Sequence, residues 1–550
     1  MRRIGAFMLV GVLTASTAAM APSPSVASYS SGFRQWVADH IGDTRRLSLG
    51  AKSWLLGPEP VAGRTVQAAS NPSFGTNVNA NDPSRDLAAG QSETAVAAAS
   101  GRVLVAWNDA TGFLFNDSTQ VRASMIGVGF SNDGGASFTD LLGLPNDNPH
   151  QQWAGDPSVA ALGRSNFIVG GLYFPSFFTA CDDGGPAELT LAISVAHVNK
   201  SGTQVTFSSP IVVASAGNVC EFETPDPTLS LLDKPFLSYN RTSRTLAMSY
   251  TRISLGIEQF GLGQIEIARA QVPKPPGTLS SGDFETIEVW QEEPFCFDSS
   301  EENQCGAVNQ GSYPAVAPNG DTFVLWERNW ISNLFFSGDP YVYIHGAFVP
   351  FGASAPNVGG RTDPRVVTLG QVNSNPDGGV RSMVSVGIAG YGLGNDFPRV
   401  AVNVPLGRVV VVWNDASSHP LGDVWMRAYD LSFEHPSRIR RVNDDPDSTL
   451  HFLPAVSVRD DGTICTSWYD RRLGGPDSTR TDYFGECRPN VGSPGDDFRI
   501  TTGSTRWAGT SSLFGPDFGD YTDNASDGSV AYFTWADGRL GVPQPFVDSH

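Results

Sequence analysis

Cationic charge is scarce in this chain: 36 lysines and arginines face 56 aspartates and glutamates over 550 residues, a formal net charge of −20. Such a balance argues against a nucleic-acid partner, whose phosphates reward lysine and arginine, and suits a soluble secreted protein. Cysteine is also sparse. There are six, none paired at two-residue spacing, which argues against a thiolate metal site. The chain has no HExxH, no GxSxG nucleophile elbow, no P-loop and no cofactor fingerprint. Eight histidines are scattered, and lone ones such as His150 and His451 read as loop residues rather than ligands. Beyond the first residues no apolar run is long enough to span a bilayer, so no membrane insertion is expected.

What is abundant is turn material. With 59 glycines, 38 prolines, 17% charged and 40% hydrophobic residues, the chain reads as turn-rich and all-β, with ample material for a large core. The opening MRRIGAFMLVGVLTASTAAMA has a basic start, a short apolar run and small residues at Ala19-Met20-Ala21, the pattern of a secretory signal peptide over residues 1–21, with Ser25-Val26-Ala27 as a second cleavage site. Residues 22–70 read as a leader or packing arm, and 71–550 as one domain. An extracellular address turns the six cysteines into expected disulfides. Proximity along the chain favours Cys296–Cys305 and Cys465–Cys487, leaving Cys181 with Cys220.

Leu453 to Arg472, LPAVSVRDDGTICTSWYDRR, organises the rest. Val456 and Val458 alternate on one side of Asp460-Asp461-Gly462, and Ile464, Thr466 and Trp468 on the other, which predicts a hairpin. Six variations recur, at 93–109, 156–174, 233–253, 313–329, 397–416 and 519–539. Proline takes one relative position as Pro157, Pro235, Pro314, Pro398 and Pro454, and an aromatic closes most second strands as Trp107, Tyr250, Trp326, Trp413, Trp468 and Trp535. Seven such units predict a single β-propeller of four-stranded blades, seven in number, or six if one hairpin is an insertion. FGTNVNAND at Phe74 to Asp82 is similar to RRVNDD at Arg440 to Asp445, where an outer strand is due. Pairing of Asn77 to Asn79 with the final strand, Gln544 to Asp548, would then close the ring and remove its edges.

Within the first unit Ser131 to Phe138, SNDGGASF, resembles the Asp-box, S-x-D-x-G-x-x-W, of sialidase-like (BNR-repeat) β-propellers, with Phe138 in place of tryptophan. The hairpins, WYDRR at Trp468 to Arg472 and GDY at Gly519 to Tyr521 are also similar to those of secreted bacterial exo-α-sialidase-like proteins. The resemblance covers roughly residues 70 to 550. It implies a structural turn at Ser131, Asp133, Gly135 and Phe138, far from any pocket, and a glycan ligand. Sialidases also carry an arginine triad and an early Phe/Tyr-Arg-Ile-Pro motif. No Arg-Ile-Pro string exists here; FPRV at Phe397 to Val400 is nearest and falls in the fifth hairpin.

A propeller presents ligands at the mouth of its channel, near the starts of inner strands. Glu93, Asp156, Asp233, Asp396 and Asp520 start first strands. They can hold a cation, work as acid and base on a glycosidic bond, hydrogen-bond sugar hydroxyls, or simply cap turns. At second-strand exits, Asp470 beside Arg471 and Arg472, and Arg539 near Asp537, read as ion pairs, with bidentate capture of a carboxylate as the alternative for the arginines. The Asp-rich stretches Pro145 to Pro157 and Arg441 to Ser448 offer oxygen ligands to calcium without matching an EF-hand. Three functions follow as expectations for a monomeric protein: recognition of a glycan or other extracellular polymer, glycoside hydrolysis, or a protein-interaction scaffold.

Overall fold

The computed structural model describes residues 77–85, 90–114, 124–147, 151–175, 188–218, 230–254, 263–291, 307–330, 341–353, 367–372, 380–381, 397–418, 421–445, 449–474, 479–510 and 518–550. The expected signal peptide, the 22–70 arm, Asp396 and Cys181, Cys220, Cys296 and Cys305 lie outside them.

All seven hairpins form, and each is the inner half of one antiparallel sheet in a seven-bladed β-propeller. The innermost strands are Gln91–Ala99, Gln152–Gly163, Ser230–Asn240, Ala307–Val316, Arg399–Asn403, His451–Val458 and Asp523–Asp527, and they define blades 1 to 7 in chain order. Each contacts the next around the ring, and the last contacts the first. The seventh sheet borrows its outer strand from the start of the domain. Val78–Asn79 pairs with Gln544–Ser549, Val78 opposite Val547 and Asn79 opposite Phe546, the expected closure.

Period-two patterning places one tryptophan between neighbouring sheets at five of the seven second-strand exits, with Tyr250 at that place in blade 3. Trp107, Trp326, Trp413, Trp468 and Trp535 are all at most 1% exposed, and their clusters mix residues of adjacent blades, as where Trp413 packs with Phe323 and Leu325. Burying 150–250 Å² per aromatic at about 25 cal/mol per Å² contributes roughly 4–6 kcal/mol each as an upper figure. Between blades 2 and 3 the same work is done by aliphatic residues such as Ile168, Leu172, Leu232 and Met248.

Near the start of five inner strands the pairing with the second strand skips two residues. They are Glu93–Thr94, Asp156–Pro157, Lys234–Pro235, Gly311–Ser312 and Leu453–Pro454. The first of each pair has a positive φ: 51°, 54°, 54°, 65° and 51°. A bulge re-aims a side chain and costs no ladder bond to a proline that has no N–H to give. Register corrects one expectation. Pro157, Pro235 and Pro454 share the bulge, and Pro398 precedes Arg399 at the matching place, but Pro314 pairs with Val324 two residues further in. Ser312 holds the proline position in blade 4.

Of the three expected disulfides, Cys465–Cys487 lies within the described residues and is formed, between residues directly opposite on adjacent strands of blade 6.

Candidate functional site

Four of the five sequence-nominated acids meet near the axis: Glu93 and Asp156 open bulges, Asp233 stands just before one, and Asp520 precedes the inner strand of blade 7. Glu93, Asp156, Asp233 and Asp520 are at most 4% exposed. They surround a residue the sequence reading missed, Lys234, itself fully buried. Its Nζ bonds to the Asp520 carboxylate and lies 3.7 Å from Glu93 Oε1. Blade 3 thereby reaches across the axis to blades 7 and 1.

The acids also bind backbone from the next blade. Asp520 N–H donates to Glu93 Oε1 at 3.2 Å, and Lys234 N–H donates to Asp156 Oδ2 at 3.2 Å. The Asn108 amide donates to Glu93 Oε2 at 2.5 Å and accepts from Asp156 N–H at 2.8 Å, while Gln310 Nε2 donates to Asp233 Oδ2 at 2.7 Å. Gly519, at φ 84°, makes this closeness available: a Cβ there would sit 2.4 Å from Glu93 Cγ.

Among the described residues Lys234 is the cation bonded within this group of acids. Burial, followed by Lys234 pulling the other way and by Asp233 adding repulsion, pushes the Asp156 carboxyl up to about 7, and its side chain is hydrogen-bonded to Glu93. Lys234 is held well above its ordinary value: burial opposes its charge, but Asp520, Glu93, Asp156 and Asp233 outweigh that.

One layer deeper Arg399 fills the axis. It is 2% exposed, with its guanidinium carbon 4.8 Å from the ring centres of Phe236 and Tyr313 and 5.9 Å from that of Tyr521. Tyr313 Oη reaches Asp523 Oδ1 at 3.4 Å, Asp523 Oδ2 accepts Val96 N–H at 3.1 Å, and burial pushes the Asp523 carboxyl up to about 6. Lys234 and Arg399 were both legible in principle. Lys234 stands immediately before Pro235 as Asp156 stands before Pro157; the one-residue offset, which put Asp233 in that place, hid it.

The other nominated residues separate into two groups. Trp413, Trp468 and Trp535 each donate Nε1–H to the aspartate two residues on, Asp415, Asp470 and Asp537, at 2.8, 3.0 and 2.8 Å. Arg472 then bonds Asp470 and Asp497, at 2.8 and 2.6 Å, and lies 3.3 Å from Asp445. His451 is buried beside them, its Nε2 2.9 Å from Asp445 and 3.4 Å from Asp470. Ligand-type atoms of Asp445, His451 and Asp470 lie within 4.8 Å of one another, but the Arg472 guanidinium already takes the cation's place between the two aspartates. Arg539 is bound to Asp537 and donates to Asn77 Oδ1 at 3.1 Å. Arg471 differs. It is 2% exposed, donates Nε–H to Thr481 Oγ1 at 3.1 Å, and burial alone lowers it to about 10.

At the blade 6–7 boundary a cleft of about 390 Å³ is lined by Arg480, Ser504, Arg506, Gly509, Gly538, Arg539 and Gly541. Arg506 and Gly509 are exposed there, so the cleft is open to solvent.

The Asp-box stretch folds as a self-bonded turn remote from the axis. Ser131 Oγ donates to Asp133 Oδ1 at 2.7 Å, Gly135 N–H donates to Ser131 Oγ at 2.9 Å, and Ser137 N–H and Oγ–H donate to Asp133 at 2.9 and 2.6 Å. Phe138 packs against the cluster of Val96, Val103 and Trp107.

No family model matches this chain, and no curated protein does. Among solved structures it is similar to the GH93 α-L-arabinofuranosidase of Fusarium graminearum in complex with arabinobiose (TM-score 0.41, 11% identity, 88% of this chain and 97% of that one). It is also similar to Penicillium chrysogenum α-L-arabinanase with arabinobiose (0.37, 12%, 72% and 94%) and to a Trypanosoma rangeli sialidase mutant displaying trans-sialidase activity (0.39, 10%, 75% and 57%). At such identities and scores the likeness carries no argument about what this chain binds, and the functional reading rests on its own residues.

Proposed function

We propose that this protein is a secreted, glycan-recognising propeller that binds its ligand at the blade 6–7 cleft and uses the axial acids to hold the ring together. The observation that carries the reading is the closure of Glu93, Asp156, Asp233 and Asp520 over Lys234, all at most 4% exposed. An acid and a base must reach the scissile bond, and these carboxylates are directed at a lysine, two side-chain amides and backbone N–H groups instead. The cleft, by contrast, is open and shallow, lined by guanidinium and hydroxyl groups together with a comparable apolar surface, and its volume is at the small end of the range for ligand sites, about 300–1,000 Å³. Its hydroxyl, guanidinium and glycine-backbone lining suits a hydroxyl-rich ligand.

One observation favours hydrolysis as the second reading. Asp156 at about 7, hydrogen-bonded to Glu93, has the electrostatics of a general acid at neutral pH. A glycan array read by mass spectrometry separates the two, because retained protein and released terminal sugars are seen together. Retention without release is the expected result. Release that disappears in Asp156→Asn would replace recognition with catalysis, and neither retention nor release would leave the scaffold reading.

A further inference from the structure

We infer that Arg471 and Trp507 form a buried site for one small monovalent anion of halide size at the boundary of blades 6 and 7. Neither residue lines the open cleft, so the site is separate from the recognition reading above. The first observation is an unanswered charge. Arg471 is 2% exposed, yet its Nη2 is buried and donates to no oxygen, and no carboxylate among the described residues pairs with it. Its side chain donates Nε–H to Thr481 Oγ1 at 3.1 Å, and the ring of Phe452 is centred 5.7 Å from the guanidinium carbon. Buried charges are ordinarily paired or fully hydrogen-bonded. Arg472 next to it meets Asp470 and Asp497, and Arg102, equally buried, gives its guanidinium to Asn132 Oδ1 and the carbonyls of Arg164, Asn199 and Lys200.

The second is a neighbouring donor in the same condition. Trp507 is fully buried and its Nε1–H finds no acceptor among the described residues, whereas Trp413, Trp468 and Trp535 each give theirs to an aspartate. A short chain of bonds brings the two donors together. Arg471 holds Thr481 Oγ1, Thr481 Oγ1–H donates to Thr479 O at 3.2 Å, and Trp507 N–H donates to the same carbonyl at 3.3 Å. Two rings complete the surroundings. Phe452 and Phe518 are centred 5.1 Å apart, and Trp507 meets Phe518 in a T-shaped contact at 5.2 Å.

Charge, size and donor chemistry define the occupant. Burial alone lowers the Arg471 pKa, to about 10, so the guanidinium keeps its proton at neutral pH and its single charge matches a single negative one. Phe452, Trp507 and Phe518 are at most 2% exposed, which leaves no entry for a saccharide and suits a compact ion. Guanidinium and indole N–H groups donate and accept nothing. An anion satisfies both at once, while a water molecule leaves the charge unpaired. Phe518 stands two residues before Asp520, whose carboxylate receives Lys234 at the axis, so occupancy of the site fastens the lead-in to blade 7 on which that contact depends.

The test combines thermal melts of the whole chain at constant ionic strength, sodium gluconate being replaced stepwise by chloride, bromide or acetate, with anomalous diffraction at the bromine edge from crystals grown in bromide. Wild type should gain about 1–3 °C for each tenfold rise in halide above its dissociation constant, and bromide should lie within hydrogen-bond reach of Arg471 Nη2 and Trp507 Nε1. Arg471→Met should lose the halide dependence and, in gluconate, melt no lower than wild type, because the uncompensated buried charge leaves with the guanidinium. Trp507→Phe should keep a weaker dependence. A wild-type melt indifferent to halide, the same halide slope in Arg471→Met, or bromide bound elsewhere but not at Arg471 overturns the inference. Should Arg471→Met fail to fold, the bromide position in wild-type crystals decides by itself. Acetate stabilising as strongly as bromide overturns the halide assignment.

Discussion

At the scale of the residue, Lys234 decides how the axis behaves. It is drawn to Glu93, Asp156, Asp233 and Asp520 together, so Lys234→Met should take a shared counter-charge from buried carboxylates and cost about 3–5 kcal/mol. A denaturant midpoint equal to that of wild type would contradict this. Asp156 predicts a pH effect of opposite character. Its folded value, about 7, is raised above the ordinary 3.8, so the unfolded chain ionises first. Its contribution to stability is then lost as pH climbs from about 4 to about 7 and stays lost above. Asp156→Asn removes that titration and still offers an oxygen to Lys234 N–H, so its melting temperature should gain on wild type between about pH 5 and about pH 8. The four acids around Lys234 could be named from sequence because aspartate and glutamate before a repeated hairpin are easy to see. Their meaning could not, since it depends on a lysine from blade 3 crossing to blades 7 and 1, a contact between residues up to 286 apart in the chain.

At the scale of the element, the locks between blades repeat a small chemical pattern. The similarity of FGTNVNAND to RRVNDD is reproduced in bonds. Asn443 Nδ2 donates to Asp423 Oδ1 at 2.8 Å and to Asp445 Oδ1 at 3.0 Å, while Asn79 and Asn81 donate to Gln544 Oε1 at 3.3 and 2.8 Å. Sequence could carry this far because both are outer strands doing the same work. It could not carry the role of His451, which read as a loop residue and is instead buried between blades 5 and 6. Asp445, Asp470 and Asp423 face it, Gly422 O lies 3.0 Å from Nδ1, and the same acids are approached by Arg472, 3.3 Å from Asp445, and Arg441, 3.9 Å from Asp423. Burial opposes its protonation, but the bond to Asp445 and the charge of Asp470 hold its pKa above the ordinary value. A histidine raised in the folded state stabilises fully below about pH 6.5, and that stabilisation is lost as pH rises through the folded value. Wild type should therefore exceed His451→Asn in melting temperature by more at about pH 5.5 than at about pH 8.5. A difference that grows with pH would mean the ring is neutral in the folded protein.

At the scale of the molecule, stability depends on a ring with no free edge. Hairpin repeats, glycine and proline content and the closing strand made seven blades legible before any coordinates, because each unit is a local pattern and a four-stranded blade cannot bury both faces alone. The cleft between blades 6 and 7 was only partly legible: Arg539 was nominated, but Arg480 and Arg506 face each other only through a short strand pair that no hairpin signal marks. The closure is narrow for the work it does, two residues paired with the last strand, and Asn77 reinforces it. Fully buried, Asn77 donates to Ile500 O at 2.9 Å and Asp548 Oδ2 at 2.6 Å, and accepts from Thr502 N–H at 2.6 Å and Arg539 at 3.1 Å. It joins blades 6 and 7 to the start of the domain. Asn77→Ala strands several of these partners and should cost roughly 3 kcal/mol, taking about 1–3 for each buried group left unmade. Removal of residues 1–82 takes the whole strand and uncovers the edge of Gln544–Ser549, so the expected loss is larger and cooperative, with every blade melting in one transition at lower temperature and the exposed edge promoting association. Calorimetry with light scattering on the two variants reads both effects. A truncated chain that melts like the full one and stays monomeric would mean that the tryptophan ring and the axial lysine hold the seven blades without the closing strand.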